Sequence, residues 1–90
     1  MRVKIGLHPI LLEENVPSGP IRVEGQTVGE CLRSFLQRFP STKKKLFAGP
    51  GRLHPYIEIY VNDESAYPEE LKRPVKEGDE ISITCMMCGG

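Results

Sequence analysis

Lys76-Glu77-Gly78-Asp79-Glu80-Ile81-Ser82-Ile83-Thr84 reads as a turn followed by a strand, and it runs without interruption into Cys85-Met86-Met87-Cys88-Gly89-Gly90, the last residues of the sequence. Glycine at position 78 provides a site where positive φ costs little. Ile81 and Ile83 alternate with Glu80, Ser82 and Thr84, the period of a strand with one buried face. Beyond Thr84 there is no helix signal, cap or apolar anchor, so residues 85–90 are expected to be a flexible tail on a body formed by residues 1–84. Two chemistries compete for that tail: the carboxylate of Gly89-Gly90 and the thiols of Cys85-x-x-Cys88. The position of the final strand in its sheet decides where the tail leaves the body.

Working back along the chain, Ile57, Ile59 and Val61 alternate with Tyr56, Glu58 and Tyr60, and Asn62-Asp63 supplies turn chemistry at their end. A short edge strand fits near Ser65-Ala66-Tyr67. Earlier, Thr27-Val28-Gly29-Glu30 has the form of a capping box, with the Thr27 hydroxyl accepting from the Glu30 amide and Glu30 reaching back to the Thr27 amide. Val28, Cys31, Leu32, Phe35, Leu36 and Phe39 then form one apolar stripe at helical spacing, which Pro40 ends. Cys31 lies on that stripe and reads as core, because a buried cysteine behaves as a small hydrophobe. Lys43 to Phe47 fits one more helical turn, closed by Gly49-Pro50-Gly51, with a loop after it. At the N-terminus Val3, Ile5 and Leu7 alternate with Arg2, Lys4 and Gly6, and Ile21 and Val23 alternate with Arg22 and Glu24. These make a hairpin joined by a long, proline-rich connection.

Ninety residues make one domain, and the 12 basic and 12 acidic side chains cancel. That balance argues against a nucleic-acid partner, whose affinity rests on neutralised phosphates. No run of about 18 apolar residues and no signal-like segment is present, so no membrane association is expected. Three cysteines do not form a secreted-type disulfide framework, and a cytoplasmic location is expected. Lys43-Lys44-Lys45 reads as a solvated connection.

One amphipathic helix and four or five strands bury their apolar sides only against each other, giving a two-layer α+β domain. A final strand lying between the first and third would run parallel to the first, through a crossover long enough to permit it. This is the β-grasp, or ubiquitin-like, arrangement: a mixed four- to five-stranded sheet on one main helix. Ile57, Ile59, Ile81 and Ile83 then face the helix. Tyr56, Glu58, Tyr60, Ser82 and Thr84 face outward with Arg2, Lys4 and Arg22, and exposed tyrosines among charges suit protein docking.

Ile59-Tyr60-Val61-Asn62-Asp63-Glu64, then Val75-Lys76-Glu77-Gly78-Asp79-Glu80-Ile81-Ser82-Ile83, then Gly89-Gly90 resembles the ubiquitin-like sulfur carriers (MoaD/ThiS-like), namely the molybdopterin synthase small subunit and the thiamine-pathway carrier. The resemblance implies a carrier with no bound cofactor rather than an enzyme. An adenylating activating enzyme would use ATP and Mg²⁺ on Gly90, a sulfurtransferase or other persulfide donor would supply sulfur, and an acceptor synthase would receive it from a Gly90 thiocarboxylate. Gly89 would let the backbone thread a narrow channel, because a Cβ there would restrict φ/ψ and widen the chain. A ubiquitin-like modifier conjugated through Gly90 shares the same activated carboxylate.

Cys85-Met86-Met87-Cys88 departs from the family, in which small, proline or aromatic residues without thiols are expected. Partner contact through these four residues, with Tyr56 and Tyr60, is one reading; flexible thioethers adapt well to an apolar groove. Sulfur handling through a mixed disulfide or persulfide at Cys88 is a second. A Cys-x-x-Cys can bind zinc, but a structural site takes about four ligands, and His8 and His54 are isolated loop histidines, so no metal is expected. A thioredoxin-like role would need a following helix to lower a thiol pKa, and only two residues follow Cys88.

Overall fold

The computed structural model describes residues 1–12, 16–17 and 19–86. Strand β1 (Arg2–Leu7) and β2 (Ile21–Glu24) form the antiparallel N-terminal hairpin, with Val3 opposite Val23 and Ile5 opposite Ile21. Helix α1 (Val28–Arg38) follows, then the short helix α2 (Lys43–Leu46). A small hairpin of β3 (Phe47–Gly49) and β4 (Arg52–Leu53) turns through Pro50 and Gly51. Strands β5 (Ile57–Val61), β6 (Glu64–Ser65) and β7 (Glu80–Cys85) complete the main sheet, whose order is β2-β1-β7-β5-β6.

The mixed five-stranded β-grasp sheet expected from sequence is present, and β7 occupies its centre. It pairs parallel with β1, Ile5 beside Ile81 and Leu7 beside Ile83, and antiparallel with β5, Ile59 beside Ile83 and Val61 beside Ile81. The fifth strand falls at Glu64–Ser65, slightly before the expected position. The β3–β4 hairpin replaces part of what reads in sequence as loop.

Val3, Ile5, Ile21, Val23, Ile57, Ile59, Val61, Ile81 and Ile83 point from one sheet face into a single core with Val28, Cys31, Leu32 and Phe35 of α1 and Leu46 of α2. An 11-residue helix is marginal alone, whereas each fully buried Leu, Ile or Phe contributes about 1.5–3 kcal/mol. Packing therefore holds α1 on the sheet. Cys31 is wholly buried, and that burial raises its thiol pKa, so it is a core residue as its place on the stripe implied.

Local chemistry sets the ends of α1. The Thr27 hydroxyl accepts from the Glu30 amide at 3.2 Å. The Glu30 carboxylate, however, accepts from the Gln26 amide at 2.8 Å rather than the Thr27 amide. Thr27 bridges Pro74 across the incoming chain, and Val28 donates to the Arg73 carbonyl at 2.9 Å, so the helix start is tied to the segment leading into β7. At the other end Phe39 leaves the helical region (φ −133°, ψ 69°) before Pro40. Gly25 permits the close approach of this turn, since a Cβ there would lie 2.8 Å from the Cys31 backbone nitrogen.

A polar clasp sets the start of β7. Asn62 and Asp63 take positive φ (52° and 69°) in the two-residue turn between β5 and β6, and Gly78 takes φ 86°. These turns bring Asn62 to Asp79: Asn62 Nδ2 donates to Asp79 Oδ1 at 2.9 Å, the Glu80 amide donates to Asn62 Oδ1 at 2.9 Å, and the Lys76 amide donates to Asp79 Oδ2 at 2.8 Å. The Asn62 hydrogen bond, followed by that from the Lys76 amide, holds the Asp79 carboxyl below its ordinary value of 3.8. A carboxyl with a lowered folded pKa stabilises the fold above its unfolded pKa, and that contribution disappears as pH falls through the folded value. Thermal unfolding from pH 7 to pH 2 should show Asp79→Asn less stable than the parent at neutral pH. The gap should close below the Asp79 titration; a gap independent of pH would assign the clasp no ionic character.

Candidate functional site

Cys85 is the last residue of β7, paired with Ile57, and only 8% exposed within the core. Expected from sequence in the tail as a partner contact, Cys85 instead belongs to the body as part of the strand. Counted from Ile81 and Ile83, position 85 falls on the same inward face, so the alternation of the strand extends one residue past its apparent end. Met86 turns outward, 60% exposed, while its amide donates to the Tyr56 carbonyl at 2.7 Å. That bond is the last described tether of the chain. Met87, Cys88, Gly89 and Gly90, expected as tail and site residues, lie outside the described residues.

Tyr56 precedes β5 and is exposed; its ring stacks on His54 with centroids 4.8 Å apart and 9° between planes. His54 Nε2 lies 3.0 Å from the Lys44 carbonyl, and because a carbonyl only accepts, that nitrogen carries the proton. The His54 amide donates to the Leu46 carbonyl, and the His54 carbonyl accepts from the Ile57 amide. The exit of β7 is thus joined through Tyr56 and His54 to α2. In sequence His54 reads as a solvated loop histidine, and its one signal of another role is its position two residues before Tyr56 at the mouth of a strand. His8, likewise read as solvated, uses Nδ1 to accept from the Ile10 amide at 3.2 Å, capping the 3₁₀ turn Pro9–Leu11.

The outer face of the sheet carries the other expected contact. Tyr60 lies half-buried, opposite Ser82 on one side and Ser65 on the other. Lys4 flanks Glu80, Gly6 flanks Ser82, and Glu58 flanks Thr84. Tyr60 therefore stands over a floor of small side chains bordered by charges of both signs. Tyr56 is not on this floor but at the exit, so the structure separates the two tyrosines into two roles. On the other side of the exit, Leu53, Pro55, Tyr67, Pro68 and Met86 line an open groove edged by Arg52, Glu58, Glu69 and Lys72. Among the described residues no group of three or more His, Cys, Asp or Glu side chains is placed to hold a metal ion. No described helix is long and apolar enough to cross a membrane.

The family model named ThiS family matches residues 21–90, from β2 to the last residue of the sequence. The chain belongs to the ThiS family. It is 26% identical over 93 aligned positions to the sulfur carrier protein CysO of Mycobacterium tuberculosis H37Rv, with all of both chains covered. Among solved structures it superposes with a TM-score of 0.81 and 29% identity on a chain of the BexX/CysO complex of Amycolatopsis orientalis, covering 98% of this chain and 99% of that one. Small archaeal modifier protein 1 of Haloferax volcanii gives a TM-score of 0.82 at 26% identity with full coverage of both chains. This ThiS-family chain thus has relatives named as sulfur carriers and as modifiers, and one of them is known in complex with another protein.

His54→Ala removes the ring stack and the bond to Lys44, a combined cost of about 1–2 kcal/mol. Amide exchange followed by NMR should show faster exchange at Met86, with Ile59 in the sheet interior little changed. Equal exchange at Met86 in both proteins would mean that the exit is held without His54.

Proposed function

We propose that this chain is a sulfur carrier that acts as a protein cosubstrate, with Gly90 as the group that carries sulfur. The observation that supports this most directly is the placement of β7: a strand hydrogen-bonded on both sides in the sheet centre, ending at Cys85, five residues before Gly90 in a segment that the ThiS family model spans to its last residue. Extended at about 3.3 Å per residue, the five steps from Cys85 to Gly90 reach roughly 17 Å. That is far enough to deliver a carboxylate into a partner's active site while the body stays outside.

A terminal carboxylate has a pKa near about 3.5 and is an anion at neutral pH, which resists nucleophilic attack. Activation therefore comes first. An adenylating partner joins Gly90 to the α-phosphate of ATP, with Mg²⁺ neutralising the phosphates, and pyrophosphate leaves. A persulfide sulfur on a sulfurtransferase or on the activating enzyme attacks the acyl carbon and AMP departs. The resulting acyl disulfide is opened by a second thiol, which is oxidised to a disulfide as the thiocarboxylate is released. Gly89 keeps the chain thin where it passes through the channel. The body contributes direction and docking: Tyr60 with its floor of Ser82 and Gly6 offers one surface, and Met86, at the exit, offers an adaptable apolar contact. The acceptor synthase is then any enzyme that takes sulfide from a thiocarboxylate.

The similarity to small archaeal modifier protein 1 supports a second reading, in which a lysine amine attacks the same adenylate and forms an isopeptide. The two differ only in the nucleophile. Incubation with the activating enzyme, ATP, Mg²⁺ and a persulfide donor should convert the chain to a species with oxygen replaced by sulfur at Gly90, detected by intact mass, and deletion of Gly90 should abolish it. A lysine-linked conjugate without the thiocarboxylate would favour the modifier, and neither product with a competent enzyme would reject both. Tyr60→Ser should slow the reaction about tenfold, roughly 1.4 kcal/mol of lost docking, without a change in thermal stability beyond the surface range.

A further inference from the structure

The 12 basic and 12 acidic side chains cancel over the whole chain but are not mixed along it. From Cys31 to Tyr56 there are six basic residues, Arg33, Arg38, Lys43, Lys44, Lys45 and Arg52, and no acidic one. The other six basic residues share the rest of the chain with all 12 acidic ones. This stretch folds as most of α1, then α2 and the β3–β4 hairpin, so the excess of positive charge falls on the helix layer rather than on the outer face of the sheet. Arg33, Lys43 and Lys44 are exposed, and among the described residues none of the three has an acidic partner.

A groove on the same layer supplies a second, independent observation. Leu36, Phe47 and Leu71 are half-buried there, each with one side packed on the core and the other left in the groove. Arg33 and Gln37 line it from α1, and Lys43 lines it from α2. At one end Gly29 lets the 3₁₀ turn Glu70–Lys72 close on the helix, since a Cβ there would lie 2.9 Å from the Leu71 carbonyl oxygen. Glu30, the acid on its rim, already accepts from the Gln26 amide at 2.8 Å. From Gly29 to Pro40 the groove follows α1 for about 16 Å at about 1.5 Å per residue.

We propose that this groove is a docking site for an acidic, amphipathic segment of a partner protein, with apolar side chains on Leu36, Phe47 and Leu71 and carboxylates on Arg33 and Lys43. An apolar strip edged by unpaired cations calls for both features in one occupant. A purely acidic chain leaves the strip wet, and a purely apolar one leaves the cations without partners. Nucleic acid answers the charge alone: single strands are held by stacking on exposed aromatic rings as well as by cations, and Phe47, the aromatic residue of this groove, is half-buried. The groove lies in the helix layer, away from the Tyr60 floor, so an acidic partner here leaves the outer sheet face open. Nothing in the proposal depends on the chemistry of Gly90.

The test uses the full chain and a fluorescein-labelled helical peptide of about 15 residues, with leucine at i, i+3, i+4 and i+7 and glutamate at most other positions. Fluorescence anisotropy at about 0.15 M salt should show saturable binding that weakens as salt rises, because surface charges are screened. NMR signals of the chain should shift at Leu36, Phe47 and Leu71 and not at Tyr60. Replacing the peptide's leucines by alanine, or its glutamates by lysine, should each weaken binding at least about tenfold, the loss expected when a central contact is removed. Arg33→Glu combined with Lys43→Glu should do the same, whereas Lys76→Glu, a charge reversal at an exposed site outside this stretch, should change affinity less than about twofold. Both groove positions are exposed, so a folded variant is expected from thermal unfolding; Arg33→Gln with Lys43→Gln removes the charge without reversing it and keeps the comparison if the double reversal does not fold. Failure of the acidic peptide to bind would overturn the proposal. Equal binding by the alanine peptide would also overturn it by making the face a general polyanion surface, and tighter binding of a single-stranded RNA oligonucleotide would assign the face to nucleic acid instead. Shifts confined to the outer sheet face would reject the groove as the site.

Discussion

The hydrogen bonding of β7 on both of its edges is the constraint from which the rest of the structure follows. A strand paired on one side presents open donors and acceptors and frays or finds another chain. β7 has β1 parallel on one side as far as Ile83 and β5 antiparallel on the other as far as Cys85, so the direction of its central residues cannot drift without breaking two ladders. A parallel neighbour joined to β1 also requires a long crossover. That crossover contains α1, and so the demand for a central parallel strand and the demand for a helix to cover the sheet are met by one segment.

Both ends of this strand are fastened by groups outside it. At its start the Asn62 side chain accepts from the Glu80 amide and donates to Asp79, which ties the β5–β6 turn to the beginning of β7 and sets which residues face inward. A slip of one residue would carry Ile81, Ile83 and Cys85 to the solvent face together. At its end the Tyr56 carbonyl receives the Met86 amide, and the stack of Tyr56 on His54 transmits the position of α2. The point at which the chain leaves is therefore defined by both layers. Local opening there would have to disturb the stack as well as the sheet, whereas a tail leaving an edge strand would open with little resistance.

Much of this was legible in the sequence because the strongest signals are periodic. The stripe from Val28 to Phe39 and the alternations at Ile57 to Val61 and Ile81 to Ile83 each report a buried face directly, and Gly78 and Asn62-Asp63 mark turns that need positive φ. Single residues whose roles depend on a partner distant in sequence were less legible. The Cys-x-x-Cys spacing drew Cys85 toward the tail, although its parity with Ile81 and Ile83 placed it inward. His54 gave no periodic signal, since its role comes from a carbonyl ten residues earlier and a ring two residues later. The β3–β4 hairpin was hidden because its strands are too short to alternate, and the capping-box spacing gave no sign that Glu30 would accept from the Gln26 amide, one residue before the cap. Asn62 was legible as a turn residue and Asp79 as part of the Gly78 turn, but their contact across 17 positions has no local signal in the sequence.

On the carrier reading proposed above, the division between body and terminus would let a chain this small serve several partners. Specific recognition needs a surface, and reaction at a carboxylate needs a thin extended segment. Combined in one place, these demands conflict, because side chains that would bind tightly near Gly90 would also block a channel. The central strand eases that conflict by ending at Cys85, with Met86 turning outward at the edge of the body. Tyr60, Ser82 and Gly6 can then be recognised on the outer face while residues beyond Met86 are offered separately.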